Sequence, residues 1–73
     1  MTLDQKMRAI AQIRAMLCFM SINQLFRRSG ISQTTIKRTS IGGIPQDKVA
    51  ERIGAVWDEF IKEQQERKEI DHG

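Results

Sequence analysis

Residues 20–42, MSINQLFRRSGISQTTIKRTSIG, decide how this chain of 73 residues is expected to fold. Ser21 is followed three residues later by Gln24, a capping-box pattern that predicts a short helix, and Gly30 supplies its end. Ser32 is a second capping serine and predicts another helix of about eight residues after it. The stretch therefore indicates two short helices joined across a glycine, the second of them polar and basic.

The residues before this stretch predict a first helix within residues 1–20. Thr2 followed by Gln5 is another capping box, and apolar residues recur at helical spacing as far as Cys18. Cys18 stands between Leu17 and Phe19, so it is expected to be a small buried hydrophobe. Three methionines are expected to fill gaps in the core, at Met7, Met16 and Met20.

The residues after it predict a last core helix within residues 45–62. Gly42 and Gly43 end the preceding helix, and Pro45 is expected at a first helical position. The apolar residues then recur at helical spacing, as Val49, Ile53, Val56, Trp57, Phe60 and Ile61. Residues 63–73 are nearly all polar and predict a helical extension with Glu63/Arg67 pairing, ending in a frayed tail.

Two residues of this last helix carry further expectations. Trp57 lies inside the apolar stripe and is expected in the core, and Gly54 is expected to let another helix approach closely. Strand signals are nearly absent, and no linker or repeat divides the chain. The sequence therefore predicts an all-α fold, a compact bundle of four or five helices, formed as one domain over residues 1–73.

Composition excludes several classes of protein. Cys18 is the only cysteine and His72 the only histidine, so one chain can form neither a disulfide nor the usual zinc site. Nucleophilic catalysis lacks a nearby base, and we expect neither an enzyme nor a cofactor or small-molecule ligand. The longest apolar run, residues 15–20, is too short for a membrane span. Three basic residues interrupt any secretory pattern, so a bacterial cytoplasm is expected (Lys6, Arg8 and Arg14).

Charge is divided unevenly along the chain. Residues 1–44 hold seven basic residues against one acid, a net charge of +6, whereas residues 45–73 have a net charge of −3. Between Ser21 and Ile44 there are four basic side chains and no acid. This composition suits a partner that carries phosphates, and a basic face that serves solubility is the alternative.

Residues 20–42 resemble the helix-turn-helix segment of the lambda-repressor and Cro family of phage and bacterial regulators. The positions that carry the resemblance are Leu25, Gly30, Ile31, Ser32, the trio Gln33, Thr34 and Thr35, then Ile36 and Gly42. Two positions depart from the family pattern: Phe26 stands where a small alanine is usual, and Thr39 where an apolar residue is usual. Either the two helices splay around Phe26, or the reading helix is shifted in register.

The resemblance implies that helix 33–40 reads the major groove of double-stranded DNA. The residues it places toward base edges are Ser32, Gln33, Thr34, Lys37 and Arg38. Gln33 would pair with adenine, and Lys37 or Arg38 with guanine. The residues it places toward phosphates are Asn23, Arg28 and Ser40, and a role for Arg27 stays open.

The function implied is a sequence-specific transcription regulator, a Cro-like phage or prophage repressor associated with the nucleoid. It is expected to bind a palindromic operator as a homodimer. The dimer contact is expected either at the end of the last core helix, through Trp57, Phe60 and Ile61, or at the apolar surface around residues 16–20. An excisionase or other architectural factor that bends DNA is one alternative. A protein-interaction module without DNA binding is the other.

Overall fold

The computed structural model describes the backbone of residues 1–72 and the side chains of residues 1–67. Its four α-helices are α1 (Leu3–Leu17), α2 (Ile22–Ser29), α3 (Gln33–Ser40) and α4 (Asp47–His72). The predicted all-α class is confirmed, since residues 1–72 contain no strand. The same range contains four helices, without a fifth.

Side-chain caps begin the first two helices where the sequence predicts them. At α1, Gln5 N donates to Thr2 Oγ1 (3.3 Å) and Thr2 N donates to Gln5 Oε1 (3.0 Å). At α2, Gln24 N donates to Ser21 Oγ (3.2 Å) and Ser21 N donates to Gln24 Oε1 (3.1 Å). Each pair satisfies two backbone amides that a helix start would otherwise leave unbonded.

A turn of three residues joins α2 to α3. Gly30 adopts the left-handed conformation, with φ of +72°, and its amide donates to the Phe26 carbonyl at 2.8 Å. The buried hydroxyl of Ser29 donates to the Leu25 carbonyl at 2.7 Å and accepts from the amide of Ile31 at 3.1 Å. These bonds fix the direction in which the chain enters α3.

The core lies between α1 and α4; α2 packs against both of these helices, and α3 packs against α1 and α2. Its largest fully buried apolar side chains come from all four helices, namely Ile13, Met16, Leu25, Ile36 and Ile53. Burying a side chain of this size contributes about 1.5–3 kcal/mol relative to leaving it exposed. The core thus holds α2 and α3 in place and leaves the outer side of α3 in solvent.

Two predicted helix limits differ from the observed ones. The first helix ends at Leu17, because the next amides bond three residues back in a tightening turn. Pro45 is not at a first helical position: Ala50 N donates to Gln46 O at 2.9 Å, which makes Gln46 the cap and leaves Pro45 before it. Residues 47–72 form one helix, so the last core helix and its extension are continuous. The helical extension and frayed tail were predicted within residues 63–73; the helix continues to His72, and residue 73 lies outside the described residues.

Several predictions of burial are wrong. Cys18 is exposed, because it follows the last residue of α1 and its Sγ donates to the Arg14 carbonyl at 3.4 Å. Met7 is 57% exposed, since it lies on the side of α1 away from its buried residues Ala9, Ile13 and Met16. Trp57 is half-buried at the edge of the core. A Cβ added at Gly54 would have no neighbour within 4 Å, so no helix approaches closely there.

Phe26 and Thr39, the two residues that depart from the helix-turn-helix pattern, differ in their exposure to solvent. Phe26 is 40% exposed, so its ring points outward on α2. Thr39 is only 2% exposed and takes the inward position that its place on α3 predicts. The register of α3 is therefore the one expected from residues 33–40.

Candidate nucleic-acid interface

One face of α3 carries polar and basic side chains into solvent. Four of the five residues expected to read bases lie on it and are exposed, namely Gln33, Thr34, Lys37 and Arg38. Ile36 and Thr39 form the opposite, buried face. Neither Lys37 nor Arg38 forms a salt bridge with a described residue. The face therefore offers two free cations and two hydrogen-bonding side chains on one rigid element.

Ser32, the fifth of these residues, is exposed but has a local task. Its Oγ accepts a hydrogen bond from Thr35 N at 3.3 Å and donates to Thr35 Oγ1 at 2.8 Å. These bonds cap the start of α3. The hydroxyl is thus already engaged, and its lone pairs are only partly available to an outside donor.

Asn23, near the start of α2, lies beside the start of α3. Gln33 Nε2 donates to Asn23 Oδ1 at 3.4 Å, a contact between residues ten positions apart. The structure therefore brings together one residue expected to contact phosphate and one expected to read a base. The contact also limits the rotamers open to the Gln33 amide.

The other two residues expected at phosphates are engaged elsewhere. Arg28 Nη1 and Nη2 each donate to a carboxylate oxygen of Glu63 at 3.1 Å, which ties α2 to α4. The sequence predicts that Glu63 pairs with Arg67, but in the structure Glu63 pairs with Arg28. Ser40 Oγ donates to the Lys37 carbonyl at 2.7 Å. No described contact joins Arg28 to the α3 face, and Ser40, the last residue of α3, bonds only a backbone carbonyl of its own helix.

The position of Arg38 depends on a close backbone contact. Gly43 N donates to the Arg38 carbonyl oxygen at 2.8 Å, and a Cβ at Gly43 would lie 2.7 Å from that oxygen. Only a glycine fits this approach of the loop to the last turn of α3. The loop therefore fixes the end of α3 that carries both cations.

Two cations that sequence reasoning missed lie near the start of α3. Lys48 and Arg52 of α4 line a cleft of about 300 Å³ together with Ser32 and Thr35. Arg52 Nη1 donates to the Ser29 carbonyl at 3.0 Å. The spacing of these two residues puts them on one face of α4, but no local pattern indicates that this face meets the α2–α3 turn.

The remaining electrostatic feature joins α1 to α4 away from this face. Lys6 Nζ lies 3.2 Å from Asp47 Oδ1, and its hydrogen bond and charge hold the pKa of the Asp47 carboxyl below its usual value. Among the described residues, no three His, Cys, Asp or Glu side chains lie close enough to hold a metal ion. None of the described helices has the length and apolar content of a membrane span.

Comparison of the chain with protein-family models, with curated proteins and with solved structures gave no match.

Proposed function

We propose that this protein is a sequence-specific double-stranded DNA-binding regulator of transcription, a repressor of the Cro-like type, and that α3 enters the major groove. The observation that carries the proposal is the exposed face of α3, where Gln33 and Thr34 accompany Lys37 and Arg38 and neither cation forms a salt bridge with a described residue. The resemblance of residues 20–42 to helix-turn-helix regulators agrees with it. Such a regulator binds DNA and catalyses no reaction.

The chemistry of these side chains suits base edges. The Gln33 amide can form a bidentate pair with adenine N6 and N7, and Lys37 or Arg38 can reach guanine O6 and N7. Each good pair contributes about 1–3 kcal/mol of discrimination. Ser32 would contribute less, because its hydroxyl caps α3.

Phosphate contacts would set the orientation of the protein on the duplex. Asn23 lies next to Gln33 and is suited to this task, whereas Ser40 would have to turn its hydroxyl away from Lys37 O. Arg28 would have to exchange Glu63 for a phosphate. Because these intramolecular bonds would be lost, Arg28 and Ser40 would add less to the free energy of DNA binding, and we expect Asn23 to add more.

One helix of eight residues reads few base pairs, so a homodimer on a palindromic operator forms part of the proposal. Cytoplasmic location at the nucleoid would follow from that role. The architectural factor and the protein-interaction module remain alternatives that the experiment separates.

The test is selection of bound sequences from a random duplex DNA pool at two salt concentrations. The informative variant is Lys37→Ala/Arg38→Ala. Its matched control is Arg8→Ala/Arg14→Ala, which removes the same charge from exposed positions of α1. Comparing the two separates a contribution of α3 from one of net charge alone.

A two-fold symmetric motif, lost in the α3 variant and kept in the control, would support the proposal. Salt-sensitive binding without a motif would favour the architectural alternative, because phosphate contacts depend on salt and carry no sequence information. No binding at either salt concentration would contradict DNA binding and favour the protein-interaction module.

A further inference from the structure

A groove of about 670 Å³ lies at the end of the molecule opposite the start of α4. The corner between α1 and α2 forms one side, α2 a second, and the part of α4 beyond Phe60 a third. The lining residues that matter here are Phe19, Met20, Arg27, Arg28, Glu63 and Arg67. None of them belongs to α3.

The apolar residues that line the groove are Phe19, Met20 and Phe60, and we refer to them as its floor. Phe19 is 69% exposed, and its ring centroid lies 5.4 Å from that of the buried Phe60. Met20 lies half-buried beside it. An aromatic ring left this exposed on a rigid corner can still gain free energy by burial against a partner.

The basic residues that line the groove are Arg27, Arg28 and Arg67, and we refer to them as its rim. Arg28 is held by Glu63, whereas Arg27 and Arg67 form no salt bridge with a described residue. The three arginines and one glutamate give the lining a net charge of +2. Guanidinium groups beside an apolar floor complement carboxylates that flank an apolar side chain.

We propose that this groove binds an acidic segment of another protein, with one bulky apolar side chain placed against Phe19 and carboxylates paired with Arg27 and Arg67. The charge of the rim selects the acids, and the exposed ring selects the apolar anchor. Arg28 keeps its bond to Glu63, which holds the wall of the groove in place.

Two other occupants fit less well. A nucleic acid backbone would meet the Glu63 carboxylate and an apolar floor that phosphates do not cover. A second copy docked symmetrically would bring six arginines against two glutamates, so the proposed homodimer would form through a surface outside this groove. The exposed large apolar residues elsewhere on the described chain lie within its basic part, residues 1–44, where the single acid is Asp4 beside Leu3, so none of them is flanked by several acids.

The test uses the full chain and a displayed library of random dodecapeptides, selected at physiological salt. We expect enriched peptides to combine Asp or Glu with Phe, Leu or Trp. A synthetic enriched peptide is then titrated against the wild type, Arg27→Glu/Arg67→Glu, Phe19→Ser and, as control, Lys37→Ala/Arg38→Ala. Its counterpart with every acid changed to Lys serves as the control peptide.

The proposal predicts affinity about tenfold lower or worse in the first two variants, and unchanged affinity in the control variant. Phe19 and both arginines are exposed, and circular dichroism would verify that these variants fold. No enrichment, enrichment of basic peptides, or equal binding by Arg27→Glu/Arg67→Glu would overturn the proposal. So would self-association that Phe19→Ser abolishes, since a second copy would then fill the groove. The control variant keeps this result separate from the outcome of the DNA experiment.

Discussion

The guanidinium of Arg52, on α4, donates a hydrogen bond of 3.0 Å to the carbonyl oxygen of Ser29, the last residue of α2. The same Nη1 lies 2.9 Å from where a Cβ of Gly30 would stand. This bond therefore connects the longest helix to the turn that sets the direction of α3. Gly30 suits this turn for two reasons: it adopts the left-handed backbone without strain, and it leaves the space that the end of the Arg52 side chain occupies.

Gly30→Ala is expected to destabilise the protein by about 1–2 kcal/mol from the left-handed backbone alone, with a further loss if Arg52 leaves Ser29 O. Chemical denaturation followed by circular dichroism measures the change. An unchanged midpoint would mean that the turn can adopt another conformation.

Gly54→Ala is the matched substitution and is expected to act in the opposite direction. Gly54 lies within α4 with no neighbour for an added Cβ within 4 Å, so alanine gains about 0.5–1 kcal/mol of helix propensity without a clash. Denaturation under the same conditions should show a higher midpoint. A lower midpoint would indicate a packing role for this glycine.

Ser29→Ala is expected to cost about 1–3 kcal/mol, because it leaves the amide of Ile31 without its acceptor in a buried turn. Ser40→Ala is the control. The hydroxyl of Ser40 only donates to a carbonyl within its own helix, so its removal should change stability little. Equal losses in the two variants would contradict the role assigned to Ser29.

Substitutions of Ser32 separate capping from DNA binding. Ser32→Ala should lower stability by about 1 kcal/mol, because α3 loses its N-cap. Ser32→Asp keeps a strong cap and should preserve stability, but its charge next to the proposed DNA face should weaken binding to duplex DNA. Denaturation and DNA titration on both variants measure the two effects, and undiminished DNA binding by Ser32→Asp would argue against contact at this position.

The Lys6–Asp47 pair predicts a pH dependence of stability. The pKa of Asp47 is lowered in the folded protein, first by the hydrogen bond from Lys6 and then by its charge. The contribution is therefore fully present above the unfolded pKa of about 3.9 and is lost as the pH falls through the lower folded value. Asp47→Asn and Lys6→Met should each flatten the acid limb of the stability curve relative to the wild type. Parallel curves for all three proteins would contradict the assignment.

The starts of α1, α2 and α3 and the end of α2 could be predicted, because residues within the same few positions of the sequence determine them. Thr2, Ser21 and Ser32 bond amides only three residues away, and Gly30 supplies a backbone conformation that other residues resist. The exposed side of α3 follows from the same local register, once Ile36 is assigned to the core.

The features that sequence reasoning missed depend on contacts across the chain. The end of α1 is apolar on most sides, so periodicity could not show that Phe19 faces solvent while Met16 is buried. Arg28 meets Glu63 over 35 positions, and no local pattern pairs them. The two apolar surfaces proposed separately from sequence are adjoining, because Phe19 contacts Phe60.

The single tryptophan gives this molecule a built-in optical probe. Trp57 lies 5.9 Å from Phe60, which in turn contacts Phe19, and the sequence has no tyrosine to add to the emission. Being half-buried at the edge of the core, the indole should shift its emission to shorter wavelength when nearby water is displaced. Its fluorescence would therefore report the binding of a tryptophan-free ligand at the Phe19 corner, and no added label would be needed.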